Sequence, residues 1–250
     1  MPFDPLANKY VRFVRSVFEV TTDAEYKIRR LGSGIVVACD GAFFLITARH
    51  ILTNQGADPT EIVISYPDSG TTLWPTTACV HLQPVDSLAD DNTFSDFALY
   101  QLHTTRDINS IISEYDYLPF PAEVTFPYKK QLFAFGFRDA ECDFDLDKRQ
   151  HLLTEVAVEG WYAGATDYLG IHAFESPHLS TSQNGMSGGP ITYLDTSRIG
   201  RHLLAGMIVQ AGGQKLHFID ACMLRKALLY AVPRLRNLSD SMSGLRGNQQ

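Results

Sequence analysis

The sequence predicts an all-β protein built from two successive β units. Short apolar stretches rich in Val, Ile, Phe and Tyr recur at intervals of roughly 8 to 15 residues, with Gly, Pro, Asp and Asn between them. A weakly patterned stretch carrying Pro119, Pro121 and Pro127 interrupts this rhythm near the middle of the chain. The composition agrees: of 250 residues 45% are hydrophobic and 20% charged, which suits a packed core and not a disordered chain. Single cores stop growing at about 250 to 300 residues, so the length alone admits one large domain or two small ones.

Taken in order, the elements begin with a helix expected over 5–15. A hairpin follows, in which GSGIVVAC (32–39) meets AFFLITA (42–48) across Asp40-Gly41, a pair suited to the positive dihedrals of a type I′ turn. Further strands are expected from Glu61 (EIVISYP), Thr76 (TTACVHL) and Phe97 (FALYQL). In the second half they start at Gln131 (QLFAFGF), His151 (HLLTEVAVEGWYA), Leu169 (LGIHAF), Gly189 (GPITYL), His202 (HLLAGMIVQ) and Lys215 (KLHFID). A C-terminal helix starts near Asp220, with Ala221, Leu224, Leu228 and Leu229 on one side, and is expected to end before Pro233. The resulting division is 1–107 for the first unit, 108–130 for the connection, 131–238 for the second unit with its helix, and 239–250 for a flexible tail.

Charge and cysteine usage exclude several function classes. Lys plus Arg of 21 against Asp plus Glu of 28 gives a net charge of −7, and no basic run reverses it, so neither nucleic acid nor an acidic membrane is expected as a partner. Cys39, Cys79, Cys142 and Cys222 are scattered, without a Cys-x-x-Cys pair or a nearby His at zinc-ligand spacing, so no metal is expected. Four cysteines are too sparse for a disulfide scaffold and read as free thiols in a reducing compartment, with a stray bridge as the minority reading. Asp4, Pro5, Lys9, Arg12 and Arg15 interrupt any signal-peptide run, and no apolar stretch nears the roughly 18 residues of a membrane span. The expectation is a soluble, cytoplasmic protein.

Three segments carry chemistry: LITARHIL with His50, SDFALYQL with Asp96, and NGMSGGP with Ser187. A neutral serine hydroxyl is a poor nucleophile. Hydrolysis therefore needs a histidine to take its proton and a carboxylate to hold that histidine in the right tautomer. His50 and Asp96 fall in the first unit and Ser187 in the second, which predicts an active site in the cleft between them. Gly185 can adopt a conformation closed to other residues, which lets its N–H and that of Ser187 converge on a developing oxyanion. With His50 as base, activity should rise as its imidazole loses its proton, and no cofactor is called for.

On these residues the sequence resembles the trypsin-like (chymotrypsin-fold) serine endopeptidases of bacterial type. Thr47-Ala48-Arg49-His50 resembles the family's Thr-Ala-x-His, Asp96-Phe97-Ala98-Leu99 its Asp-Ile-Ala-Leu, and Gly185-Met186-Ser187-Gly188-Gly189-Pro190 its Gly-x-Ser-Gly-Gly-Pro. Leu204-Ala205-Gly206-Met207-Ile208-Val209 and the C-terminal helix resemble later landmarks, and the order fits from about residue 16 to 238. The resemblance implies two six-stranded antiparallel β-barrels, His50 as base, Asp96 as orienter, Ser187 as nucleophile, and the Gly185 and Ser187 amides as oxyanion hole. A protein or peptide substrate follows from it.

The departures from the family pattern are specific. Secreted members pair a freed amino terminus with an Asp directly before the nucleophile; Met186 stands there, so no such zymogen switch operates and an activating protein partner remains open. Ile51 replaces a disulfide-forming Cys. Many relatives give their triad Asp a serine donor where this chain reads Val209-Gln210, so Asp96 needs other donors. Thr181 occupies the base of the primary substrate pocket, which disfavours cleavage after Lys or Arg. Gln210 and His217 flank that pocket in the resemblance, and His217 is expected either to narrow it or to favour an acidic side chain.

Blander readings remain for other residues. Asp86, Asp90 and Asp91 precede no apolar strand directly and read as solvated. His172, His178, Trp74 and Trp161 read as structural, and the acidic run 139–147 as a solvated loop without the glycine turn of a calcium site. An α/β-hydrolase elbow at Ser187 would leave 63 residues for the strands and helices that must follow, and needs a helix where Gly-Gly-Pro-Ile-Thr-Tyr reads as a strand. The non-enzyme alternative is a catalytically silent or partner-activated binding module on the same fold.

Overall fold

The computed structural model describes residues 12–65, 73–81, 96–103, 112–121, 125–145, 150–179, 182–212 and 214–246. Two closed barrels of six antiparallel strands account for most of them. The first consists of β1 (Val14–Val20), β2 (Ile28–Cys39), β3 (Ala42–Ala48), β4 (Ile62–Ser65), β5 (Leu73–His81) and β6 (Phe97–Leu102), closed in the order β1-β2-β3-β6-β5-β4. A one-turn helix α1 (His50–Thr53) follows β3. The second barrel consists of β7 (Gln131–Phe137), β10 (Glu155–Ala165), β11 (Ile171–Glu175), β12 (Pro190–Leu194), β13 (His202–Gly212) and β14 (Lys215–Asp220), in the order β10-β11-β14-β13-β12-β7. A small hairpin of β8 (Asp143–Asp145) and β9 (Gln150–Leu152) stands apart, and helix α2 (Ala221–Arg246) ends the described chain.

The β2–β3 hairpin turns as its sequence demands: Asp40 and Gly41 take φ of 50° and 75°. Ile35, Val36 and Val37 are all fully buried, because one face of β2 fills the barrel and the other meets the connection between barrels. There the Leu118 N–H donates to the Val36 carbonyl at 2.9 Å. Asp116, also fully buried, accepts from the Arg15 guanidinium at 3.1 Å and from the Ser113 amide and hydroxyl at 2.8 Å, and its Oδ1 forms an ion pair with the Arg12 guanidinium at 3.1 Å. Burial draws the Arg15 pKa down to about 10 even so. One apolar cluster runs from the first barrel through Phe133, Phe135 and Met207 to Leu224 and Leu228 of α2, while a second fills the other barrel around Phe174, Met186, Ile191 and Phe218.

Four local expectations need correction. The described end of the segment expected as a helix over 5–15 is strand: Val14 and Arg15 open β1 and pair with Ile35 and Gly34. Phe13, Val14, Val17 and Phe18 are spaced for either structure. β1 is needed between β2 and β4 to close the barrel, and that non-local pairing decides. Residues 1–11 lie outside the described part. The helix α2 does not stop before Pro233 but carries it internally and continues to Arg246, through much of the expected tail. Pro233 leaves the Leu229 carbonyl without its helical donor, and Leu229 is exposed, so water can take its place. The segment from His151 forms two strands, β9 and β10, separated at Leu153-Thr154. The acidic run opens with a 3-10 turn at Asp139–Glu141 and enters β8, and Asp139 is engaged with Arg30.

Candidate active site

β3 and β6 lie side by side with Ala48 opposite Phe97, which brings the residues just beyond them, His50 and Asp96, face to face. Three contacts lock the pair. The Arg49 amide donates to the Asp96 carbonyl at 3.1 Å, the His50 amide donates to Asp96 Oδ1 at 3.0 Å, and His50 Nδ1 stands 2.8 Å from Oδ2 and 3.0 Å from Oδ1. A carboxylate only accepts, so Nδ1 carries the proton and Nε2 is left as the basic nitrogen. The acceptor capacity of Asp96, which lacks a serine donor at Val209, is met by the main chain of His50 itself. Both side chains are about a third exposed, His50 at 30% and Asp96 at 27%, so the pair opens onto solvent. Asp86, Asp90 and Asp91 lie outside the described residues.

Ser187 sits in the turn that leads into β12. Gly185 and Gly188 there take φ of +89° and +86°, which side chains rarely adopt. A Cβ on Gly188 would also collide with the Ser33 carbonyl oxygen, and would lie 2.6 Å from Thr47 Oγ1 and 3.0 Å from the Ala48 amide nitrogen. The turn is therefore seated on β2 and β3, two residues from His50. The Ser33 amide donates to the Ser187 carbonyl at 3.1 Å, the Gly188 amide to the Ile208 carbonyl at 2.8 Å, and the Ile208 amide to the Gly189 carbonyl at 2.9 Å. Beneath the turn Met186 is fully buried in the second apolar cluster, an apolar anchor in place of an ionic one.

The Gly185 and Ser187 amides donate to no protein acceptor among the described residues, which leaves both for a ligand. No hydrogen bond joins Ser187 to His50 among those residues; the Ser187 carbonyl is held instead by the Ser33 amide of β2. Of the residues expected at the substrate pocket, Gln210 and His217 are partners in the β13–β14 ladder. Gln210 is exposed, while His217 is half-buried with an Nδ1 that is shielded and has no hydrogen-bond partner among the described residues. Leu216 and Phe218, on either side of it, point into the second core. Thr181 lies outside the described residues.

Among the residues expected to be structural, Trp74 is in the core with Nε1 donating to the His103 carbonyl at 2.7 Å. His172 stacks on Phe218 and hydrogen-bonds the Tyr162 hydroxyl at 3.0 Å. Trp161 is exposed at 41%, and His178 is also exposed. All four cysteines are free thiols. Among the described residues no group of three or more His, Cys, Asp or Glu is placed to hold a metal ion.

Sequence reasoning missed three residues that hold this site. The Ser33 hydroxyl accepts from the Phe137 amide at 2.9 Å and donates to the Gly185 carbonyl at 2.7 Å, tying the barrels together beside the turn. Arg30 pairs with Asp139 and donates to the Phe137 carbonyl. Ser33 stands between two glycines in a motif that could have drawn attention; Arg30 and Asp139 give no local signal.

Residues 32–200 match the family model of the trypsin-like peptidase domain. No match to the chain was found among curated protein sequences. Among solved structures the fold is similar to that of neuropsin, a serine protease expressed in the limbic system of mouse brain. The TM-score is 0.58 at 12% identity, covering 88% of this chain and 94% of that one.

Proposed function

The chain belongs to the trypsin-like peptidase domain family, and from that premise we propose that it is a serine endopeptidase working through Ser187, His50 and Asp96. The observation that carries this reading is the doubly bonded His50–Asp96 pair, which leaves Nε2 basic beside a glycine turn that presents the Ser187 and Gly185 amides.

In this mechanism His50 Nε2 takes the proton of Ser187 Oγ as the oxygen attacks the substrate carbonyl carbon. The oxyanion that forms accepts from the Gly185 and Ser187 amides. Collapse breaks the C–N bond, His50 returns its proton to the departing amine, and an acyl-enzyme remains. Water then attacks that ester with His50 again as base, the C–Oγ bond breaks as His50 returns the proton to Ser187 Oγ, and the acid product leaves. Asp96 holds the imidazole tautomer throughout and stabilises its charged form. No step calls for a cofactor.

Specificity follows from the pocket. Thr181 offers no carboxylate to a basic side chain, and His217, half-buried beside Gln210 on the β13–β14 ladder, either narrows the pocket or favours an acidic side chain before the cleaved bond. A peptide-library profile led by Arg or Lys would contradict that preference. Four free thiols support a reducing compartment, and we place the protein in the cytoplasm.

A second reading, a catalytically silent or partner-activated module, draws on one observation: no hydrogen bond joins Ser187 to His50 among the described residues. Apo sites often tighten only on substrate binding, which favours the first reading. Hydrolysis of a peptide mixture by the native chain, lost in both Ser187→Ala and His50→Ala, is the expected result. Hydrolysis that survives either change overturns the assignment.

A further inference from the structure

Arg30 reaches from the first barrel into the second. It lies on β2 with a side chain only 10% exposed, and its guanidinium serves two acceptors at once, the Asp139 carboxylate and the Phe137 carbonyl. Both belong to the segment leaving β7. The Asp139 amide in turn donates to the Asn184 carbonyl at 2.8 Å.

That last contact fixes an orientation. In a planar trans peptide the C=O and N–H point in opposite directions, so holding the Asn184 oxygen on one side holds the Gly185 N–H on the other. The next donor is fixed differently. The Met186 carbonyl accepts from the Gly189 amide at 2.9 Å, which turns the Ser187 N–H away by a bond within the turn itself. One oxyanion donor is therefore set locally, and the other through a relay that begins in the opposite barrel. The relay also touches Gly185 directly: a Cβ there would lie 2.5 Å from Asp139 Oδ1 and 2.7 Å from an Arg30 Nη.

We propose that Arg30 and Asp139 form a clasp between the barrels that positions the Gly185 amide, and so act as positioning residues for the oxyanion hole. Their catalytic effect rests on the serine peptidase reading; their hold on the Asn184–Gly185 peptide does not. With Met186 buried and apolar, no ionic anchor acts at the residue before Ser187, and the charged anchor lies instead in this pair. Arginine suits it, because its planar fork reaches two acceptors where a lysine ammonium is a single point charge.

The test compares the native chain with Arg30→Ala, Arg30→Lys and Asp139→Ala by two readouts. Hydrogen–deuterium exchange over 183–189 is expected to quicken about tenfold or more in all three variants, with the barrel strands unchanged. The limiting rate of reaction with a fluorophosphonate is expected to fall about 10- to 100-fold, less than or equal to the loss of a whole donor. The half-saturating concentration and the final labelled fraction should not move, which a general folding defect would not allow. Because the two residues act as one unit, the Arg30→Ala, Asp139→Ala double variant should be no worse than either single.

Native-like exchange over 183–189 in Arg30→Ala and Asp139→Ala overturns the clasp, as does a native-like labelling rate. If the native chain itself fails to react, the peptidase reading falls, and the exchange readout alone upholds or overturns the clasp. Should Arg30→Ala not fold, Asp139→Ala carries the test, since that side chain is 57% exposed.

Discussion

Asp96 binds His50 twice through one carboxylate, at the main-chain amide at 3.0 Å and at ring Nδ1 at 2.8 Å. The same group thus sets where the α1 turn starts and which nitrogen of the imidazole stays basic. An amide in its place keeps the shape but can offer its NH2 group to Nδ1, which stabilises the wrong tautomer. Asp96→Asn should leave the thermal midpoint near native and lower kcat by about 10⁴-fold. Steady-state kinetics beside a melting curve checks both; a loss below about tenfold contradicts the role given to Asp96.

Ser33 joins a Phe137 amide to a Gly185 carbonyl across the barrel interface. Ser33→Ala leaves both partners without their bond in a shielded place, at a cost of about 1–3 kcal/mol. Urea denaturation should show that loss as a lower midpoint at unchanged slope. An unchanged midpoint would mean that water replaces the hydroxyl freely.

Met186 is fully buried beneath the Ser187 turn and meets the Gly136 backbone. Met186→Leu conserves volume and should cost less than about 1.5 kcal/mol with activity retained. Met186→Asp places a carboxylate in an apolar cluster and should destabilise by several kcal/mol. Denaturation midpoints of the two variants separate these outcomes, and a stable, active Met186→Asp contradicts the apolar-anchor account.

Glu155 at the start of β10 has a pKa pushed up to about 8, chiefly by burial and opposed by the nearby Arg15 charge. Unfolded, the group titrates near 4.5, so between these values the folded chain binds more protons than the unfolded one. This group's contribution is therefore full at the acid end and is lost as pH rises through the window to about 8. Glu155→Gln should flatten that fall, by a few °C in midpoint across the window for a chain of this size. Thermal midpoints measured at several pH values check it; parallel curves for native and variant would contradict the shift.

Much of this was legible in the sequence because it is local. Asp40-Gly41 dictates its own turn, and the Thr-Ala-x-His, Asp-Phe-Ala-Leu and Gly-x-Ser-Gly-Gly-Pro segments mark the candidate residues His50, Asp96 and Ser187 by their immediate neighbours. What escaped is non-local. The apolar residues of β1 fit helix or strand equally, and only barrel closure between β2 and β4 decides. Pro233 reads as a stop, yet the packing of Leu224, Leu228, Ala231 and Val232 carries α2 through it. Arg30 and Asp139 stand 109 positions apart, a separation at which no periodicity or motif can pair them.

The central claim is that Ser187 is an activated nucleophile. Intact-mass analysis after incubation with a fluorophosphonate, on the native chain and on Ser187→Ala, tests it most directly. The account predicts one adduct on the native chain and none on the variant. No adduct on either, or an equal adduct on both, contradicts it.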